Sequence, residues 1–323
     1  MKAMVRDTYC SPDELKLADV DEPVAGADDV LVRVRAAGVD HGVWHLVTGL
    51  PYAVRLGGFG LRRPKVRVVG LDLAGTVEAV GANVTRFRPG DEVFGSCDGS
   101  FAAYASTRQD RLEPKPANVT FEQAAAVPGS ACAALHALRA GGQPGEGRKV
   151  LVIGASGSVG TFAVQLAKAS GAHVTGVCGT RNADLVRSIG ADDVVDYTRE
   201  DVTDGTRRYD LVLDIAGNRS LSRLRRALTP RGALVIVGGE GGGKWLQGAD
   251  RQLRAQLMSP FVRQNLRGLL SKPGEGDLRH LGELIEAGVV TPIVGGTFPL
   301  DDAPEAFRHL RERRAAGRVV VTV

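Results

Sequence analysis

Cysteine is scarce: the 323 residues hold Cys10, Cys97, Cys132 and Cys178 and no C-x-x-C pair. That spacing offers neither a disulfide framework nor a zinc cluster. Aromatic residues make up only 5% of the chain, and none accompanies the arginine cluster Arg223, Arg225, Arg226 and Arg231. With no stacking platform and a net charge of just +4, nucleic acid is not an expected partner. No apolar run approaches the length of a membrane span, and Met1-Lys-Ala-Met-Val-Arg-Asp-Thr8 lacks the apolar core of a signal peptide. The expectation is a cytoplasmic chain without membrane contact. Hydrophobic residues at 43% and charged residues at 24% suit a soluble globular protein, and the length suits two domains rather than one core.

Up to about residue 120 the pattern is one of short strands between turns. Residues 31–35 alternate apolar and charged, 75–81 form a strand between glycines, and 90–95 follow a Pro-Gly turn. Past Pro114-Lys-Pro116 helices alternate with buried strands, at 149–153, 173–178, 193–196, 209–214 and 232–237. That alternation predicts an α/β fold with a parallel, doubly wound sheet. The tail, with helices at 278–287 and 303–314 and strands at 292–298 and 318–323, is expected to return to the first domain. The boundaries read as 1–121 plus 263–323 for the β-rich domain and 122–262 for the α/β domain.

The richest stretch is Lys149-Val-Leu-Val-Ile-Gly154-Ala-Ser-Gly157-Ser-Val-Gly160, a strand entering a glycine turn and then a helical pattern. Ser156, Gly157, Ser158, Val159 and Gly160 fall where backbone N–H groups and a helix N-terminus would receive a pyrophosphate. The first glycine of a dinucleotide fingerprint is replaced by Ala155. After the second strand the sequence reads Cys178-Gly-Thr180-Arg181-Asn182. No carboxylate stands there for the ribose 2'-hydroxyl of NAD, whereas Arg181 suits the 2'-phosphate of NADP. The strand ends at Ala216 and Gly217 and at Val237, Gly238 and Gly239 would border the ribose and nicotinamide, because ligands bind at the carboxyl ends of such strands. Gly238 to Lys244 has Walker-like spacing, but Trp245 replaces the magnesium-binding hydroxyl, so it reads as a loop.

Gly70-Leu-Asp-Leu-Ala-Gly75-Thr-Val-Glu-Ala-Val-Gly81, Phe87-Arg-Pro-Gly-Asp-Glu-Val-Phe-Gly95 and Gly190-Ala-Asp-Asp-Val-Val-Asp-Tyr197 are similar to signatures of the medium-chain dehydrogenase/reductase superfamily. The resemblance covers nearly the whole chain. It implies a GroES-like β-rich catalytic domain beside a Rossmann NADP-binding domain. Zinc alcohol dehydrogenases of this type carry a cysteine where Asp40 stands and Gly-His-Glu where Gly70-Leu71-Asp72 stands. The four-cysteine lobe is also absent, so the chain resembles the zinc-free quinone oxidoreductase branch and no metal is expected; Asp40, His41, His45 and Cys97 read as packing or solvent-facing groups rather than a ligand set.

That resemblance implies transfer of hydride from NADPH to a quinone or an α,β-unsaturated carbonyl. Thr180, Arg181 and Tyr197 would hold the 2'-phosphate, and Arg318 and Val319 would approach the nicotinamide. Asp40, His45 and Tyr52 are the candidates for substrate handling, with His45 or Tyr52 donating a hydrogen bond or proton. A homodimer is also implied, with 257–262 and 266–270 as an apolar edge. Two other readings stay open: a zinc-free NADP-dependent alcohol dehydrogenase or aldehyde reductase, and an NADPH-binding interaction protein with little turnover.

Overall fold

In the strand Asp29–Val39, Val32 and Val34 are buried while Arg33 and Arg35 face water, the period-two pattern of a sheet with one wet face. The computed structural model describes residues 1–323 apart from 240–242, 244, 246, 247, 270, 272, 273, 275 and 313. It separates into two compact units, one of Met1–Gly129, Pro273–Gly288 and Pro292–Val323, the other of Ser130–Lys272 and Val289–Thr291.

The first unit begins with β1 (Lys2–Val5), β2 (Lys16–Asp19), β3 (Asp29–Val39), β4 (Asp72–Val80), β5 (Glu92–Ser96), β6 (Tyr104–Arg108) and β7 (Leu112–Pro114). The second holds β8 (Lys149–Ile153), β9 (His173–Cys178), β10 (Asp193–Asp196), β11 (Tyr209–Asp214), β12 (Leu228–Ile236) and β13 (Asn265–Gly268). The chain then returns to the first unit with β14 (Val294–Pro299) and β15 (Arg318–Thr322). Their main sheet runs β14-β15-β3-β4-β5-β7, with β6 also paired to β3. All its pairs are antiparallel except β14 with β15. Leu73, Phe94, Phe101, Leu112 and Phe307 are fully buried in this unit.

The second unit is a parallel sheet in the order β10-β9-β8-β11-β12-β13. The helices Ser158–Ala169, Ala183–Ser188, Leu221–Arg226 and Ala249–Met258 lie between successive strands. Strand order reverses between β8 and β11, the switch point at which such sheets bind ligands. The Rossmann and GroES-like architectures expected from the sequence are both present.

Several local expectations differ from the structure. β12 starts at Leu228 rather than 232, and the helix before it stops at Arg226. Pro230 supplies no N–H to the ladder, and the β11–β12 register shifts there. The segment after Asp40, to which the sequence reading gives no helix, forms one at His41–Thr48, because Asp40 caps it by accepting a hydrogen bond from Val43 N at 2.8 Å. Leu270, part of the proposed apolar edge, and Glu240, Gly241, Gly242 and Lys244 of the Walker-like stretch lie outside the described residues. Among the described residues, no helix is long and apolar enough to cross a membrane.

A buried amide holds the short passage Val289–Thr291 in the second unit. Gln165 donates from Nε2 to Thr291 O at 3.0 Å and accepts from Thr291 N at 2.7 Å. Gln165→Leu keeps the volume but leaves both backbone groups without their partner. A loss of about 2–4 kcal/mol is expected in urea unfolding; an unchanged midpoint would show that water satisfies Thr291 instead.

Candidate functional site

The glycine turn of the second unit begins at Gly154, whose φ of +92° suits glycine alone. A methyl group at Gly160 would lie 2.0 Å from Gly154 O, so the helix Ser158–Ala169 is pressed against the turn as a fingerprint requires. Gly157 is different: a Cβ there would meet only Gly154 O, at 3.5 Å. The protein itself leaves room for a side chain at 157, and its absence keeps the turn open to an incoming group. Gly157 is also the N-cap and offers no side-chain cap, leaving the first N–H groups of a twelve-residue helix for an anion. Ala155, where a fingerprint glycine is expected, fits because Gly176 on β9 faces it; a Cβ at 176 would be 3.1 Å from that of Ala155.

The residues expected around a 2'-phosphate gather at the ends of β9 and β10. Thr180 and Arg181 are exposed in the turn Thr180–Asn182, and Asn182 Nδ2 donates to Ser156 Oγ at 3.0 Å. Tyr197 is 53% exposed, and its hydroxyl lies 3.4 Å from the Cβ position of Gly179. Tyr197 and Asn218 also line a cavity of about 440 Å³ in this unit. One group was missed by reading only the segment after β9. Asp196, on the neighbouring strand, accepts from Thr180 Oγ1 at 2.5 Å and from Thr198 N at 2.9 Å. The Thr180 and Thr198 hydrogen bonds hold its carboxyl below the usual range. The register, which sets Asp196 opposite Cys178, is what brings it there.

At the ends of β11 and β12, Gly217 has φ +67°, and a Cβ on it would be 2.5 Å from Gly239 Cα. Ala216 N donates to Ile153 O at 3.1 Å, and Val237 N and Gly238 N donate to Asp214 O at 3.0 and 3.3 Å. Asp214, fully buried, accepts from Gly217 N at 3.2 Å and pairs with Arg251 at 2.5 Å. Burial pushes its carboxyl above the usual range despite Arg251. The side chains of this pair hold the loop after β11, through Gly217 N and Arg219 O, and only its aspartate lay in a stretch singled out by the sequence.

The first unit is centred on Arg318, which has no exposed surface. Its Nη1 lies 2.9 Å from Asp40 Oδ2 and its Nη2 2.6 Å from Asp72 Oδ2. Asp72 also accepts from Gly129 N at 3.1 Å. A side chain at Gly38 would sit 2.6 Å from Arg318 Nη2, so glycine there clears the guanidinium's place. Burial, with Asp40 alongside, outweighs Arg318 and pushes Asp72 up to about 6. Val319 is buried opposite Val39 in the β15–β3 ladder.

His45 lies on the helix that Asp40 caps, with Nδ1 2.7 Å from Leu50 O. A carbonyl only accepts, so Nδ1 carries the proton and the neutral ring accepts at Nε2. His45 therefore donates from Nε2 only as imidazolium. Tyr52 stacks beneath Arg55, whose Cζ is 4.8 Å from the ring centroid. Cys97 is buried, and burial pushes its thiol up. Among the described residues, no three His, Cys, Asp or Glu side chains are gathered so as to hold a metal.

Residues 26–136 match the alcohol dehydrogenase GroES-like domain family, and residues 189–321 match the zinc-binding dehydrogenase family. The mitochondrial NAD(P)H oxidoreductase RTN4IP1 of Danio rerio is 30% identical, over 100% of this chain and 91% of its own. The chloroplastic NADPH-dependent alkenal/one oxidoreductase of Arabidopsis thaliana is 31% identical, over 99% of this chain and 79% of its own. Among solved structures, a quinone oxidoreductase from Coxiella burnetii has a TM-score of 0.84 at 26% identity, covering 100% of this chain and 99% of that one.

Removing Arg318 leaves the buried Asp72 and the partly buried Asp40 without their cation. Arg318→Met is expected to lose about 3–5 kcal/mol in urea unfolding; a loss below about 1 kcal/mol would remove the triad as a structural element. The pH dependence has a defined sign. Asp72 titrates at about 6 in the fold against about 3.9 in an unfolded chain, so the fold favours its protonated form. That contribution is full below the unfolded value and is lost as pH rises through the folded one. The wild type should therefore gain stability on Asp72→Asn as pH falls from 7 to 4.

Proposed function

Because the chain belongs to the medium-chain dehydrogenase/reductase superfamily, on its quinone oxidoreductase-like side, we propose that it reduces a quinone or α,β-unsaturated carbonyl with NADPH and without zinc. The triad is the observation that carries this reading. Asp40 and Asp72 stand in the motifs where zinc alcohol dehydrogenases carry cysteine and His-Glu, and both are already ion-paired to Arg318. A carbonyl acceptor that has no Lewis acid must delocalise the arriving charge itself, as quinones and enones do. The name of the Arabidopsis thaliana relative supports the enone class and the cofactor.

NADPH supplies the hydride. The open turn at Gly157 and the uncapped helix N-terminus fit its pyrophosphate. Arg181 and Tyr197 fit its 2'-phosphate, with Thr180 placed to accept or share hydrogen bonds while its own proton is directed at Asp196. The strand-end loops at Ala216, Gly217, Val237, Gly238 and Gly239 are assigned to the ribose and nicotinamide. Asp40 and Arg318 act as positioning residues: they fix the start of the helix that presents His45. Reduction of an enone places hydride on the β-carbon and charge on the oxygen, where His45 as imidazolium or Tyr52 as phenol donates.

A homodimer belongs to the same reading. It is supported by Leu253, Leu257 and Phe261, which are 52%, 71% and 87% exposed beside the edge strand β13. Light scattering that returned one chain's 34.0 kDa would overturn it. None of the four cysteines is in a disulfide, which suits a reducing compartment such as the cytoplasm; thiol titration of protein purified under nitrogen, finding fewer than four thiols, would count against that location.

NADPH oxidation by metal-stripped protein should occur with quinones or enones and not with saturated aldehydes. Activity confined to saturated carbonyls, or restored only by zinc, rejects the reading in favour of the alcohol dehydrogenase alternative. Arg181→Ala is expected to raise KM for NADPH by about tenfold or more and leave NADH nearly unchanged; equal losses would remove Arg181 from the 2'-phosphate site. If His45 is the donor, turnover falls toward alkaline pH and His45→Phe abolishes that limb. If Tyr52 is, Tyr52→Phe carries the loss; near-normal turnover in both variants rejects the pair.

A further inference from the structure

The first unit contains a cavity of about 270 Å³. Its walls are mostly aliphatic, with Val43 and Leu46 from the helix His41–Thr48 facing Val68 and Leu71. One wall is Arg6, which follows β1 and is 8% exposed. The Nε and Nη1 groups of Arg6 are buried with no hydrogen-bond partner, and no ion pair reaches its guanidinium among the described residues. The carboxylates beside it are engaged elsewhere. Asp7 pairs with Arg67 at 2.7 Å, and Asp98, itself on the cavity wall, pairs with Arg111 at 3.2 Å. Tyr9 offers only a ring face, its centroid 5.8 Å from Arg6 Cζ.

A guanidinium keeps its charge in any protein environment. Burying one without an anion is costly, and Arg318 shows how this same unit pairs such a group when its role is structural. We infer that the cavity binds the carboxylate of a small, otherwise apolar acid, with Arg6 as its counter-ion, and, resting on the function proposed above, that this acid is the acceptor. One desolvated cation among aliphatic walls matches one negative charge; a polyphosphate brings more than the site neutralises. The exposed Lys65 adds a second positive group to the lining. The volume lies just under the ~300–1,000 Å³ of sites for drug-sized ligands, which suits a compact acid. Val43 and Leu46 bring to the cavity wall the helix that carries His45, which is not itself among the lining residues.

Calorimetric titration of the full chain with hexanoate and with hexanamide reads the charge without turnover. Hexanoate should bind at least about tenfold more tightly, and Arg6→Gln should erase that difference. Equal binding of the two, or binding of neither, overturns the site on wild-type protein alone, whether or not the variant folds. The second arm compares NADPH oxidation by (E)-4-oxo-2-hexenoate and its methyl ester, where the acid should show the lower KM by a similar factor. An Arg6-dependent preference for hexanoate with neither enone reduced leaves the acid site standing and rejects the acid as acceptor; the reductase reading falls as well when 1,4-benzoquinone is not reduced either. Reduction of both enones at equal KM, with no preference for hexanoate, rejects the acid site and leaves the reductase reading standing.

Discussion

A single buried guanidinium organises the first unit. Arg318 stands at the start of β15, Asp40 at the end of β3 and Asp72 at the start of β4, so one cation gathers three chain segments that are far apart in sequence. Gly38 is bare to admit it, and Gly129 N completes the shell of Asp72. Because Asp40 also caps the helix His41–Thr48, the charge that pairs with Arg318 sets where that helix begins. His45 and the cavity wall of Val43 and Leu46 inherit their positions from it. Burial, with the Asp40 charge beside it, is why Asp72 holds a proton more readily than an isolated aspartate does.

The two interior arginines of this unit make a useful contrast. Arg318 has its charge balanced by the fold and serves geometry. Arg6 is nearly as buried, yet the fold gives it no anion. The second unit repeats the balanced arrangement with Asp214 and Arg251, which pin the loop after β11. Buried ionic pairs thus hold the backbone at both candidate sites, while the groups expected to meet cofactor, such as Arg181 and Tyr197, remain exposed.

Much of this was legible in the chain. Alternation at Val32 to Arg35, the strand-turn-helix at 149–160 and the later helix–strand rhythm are local signals, and they correspond to β3, β8 and the parallel sheet. What eluded the sequence was contact between distant positions. Asp40 is a substrate-handling candidate by its place in the sequence, and its ion-pair partner Arg318, 278 residues away, could not be read from it. Asp196 stands beside Thr180 only through the β9–β10 register. Ala155 looked like a defect in the fingerprint, although Gly176 on the adjoining strand restores the missing space. The helix at 41–48 went unread because its start depends on a cap rather than on a long amphipathic run.

The position of β15 bears on how the protein is made. This strand lies inside its sheet, between β14 and β3, yet follows every other strand of that sheet in sequence. During synthesis Asp40 and Asp72 emerge long before Arg318, and the stretch of β3 at Ala36–Val39 waits unpaired along one edge until residues 319–322 leave the ribosome. The second unit, nearly all of it in 130–272, can close while the first is still lacking its final strand. A chain stopped before residue 318 would thus deny the first-made unit its central cation and leave the later-made one with its sheet complete.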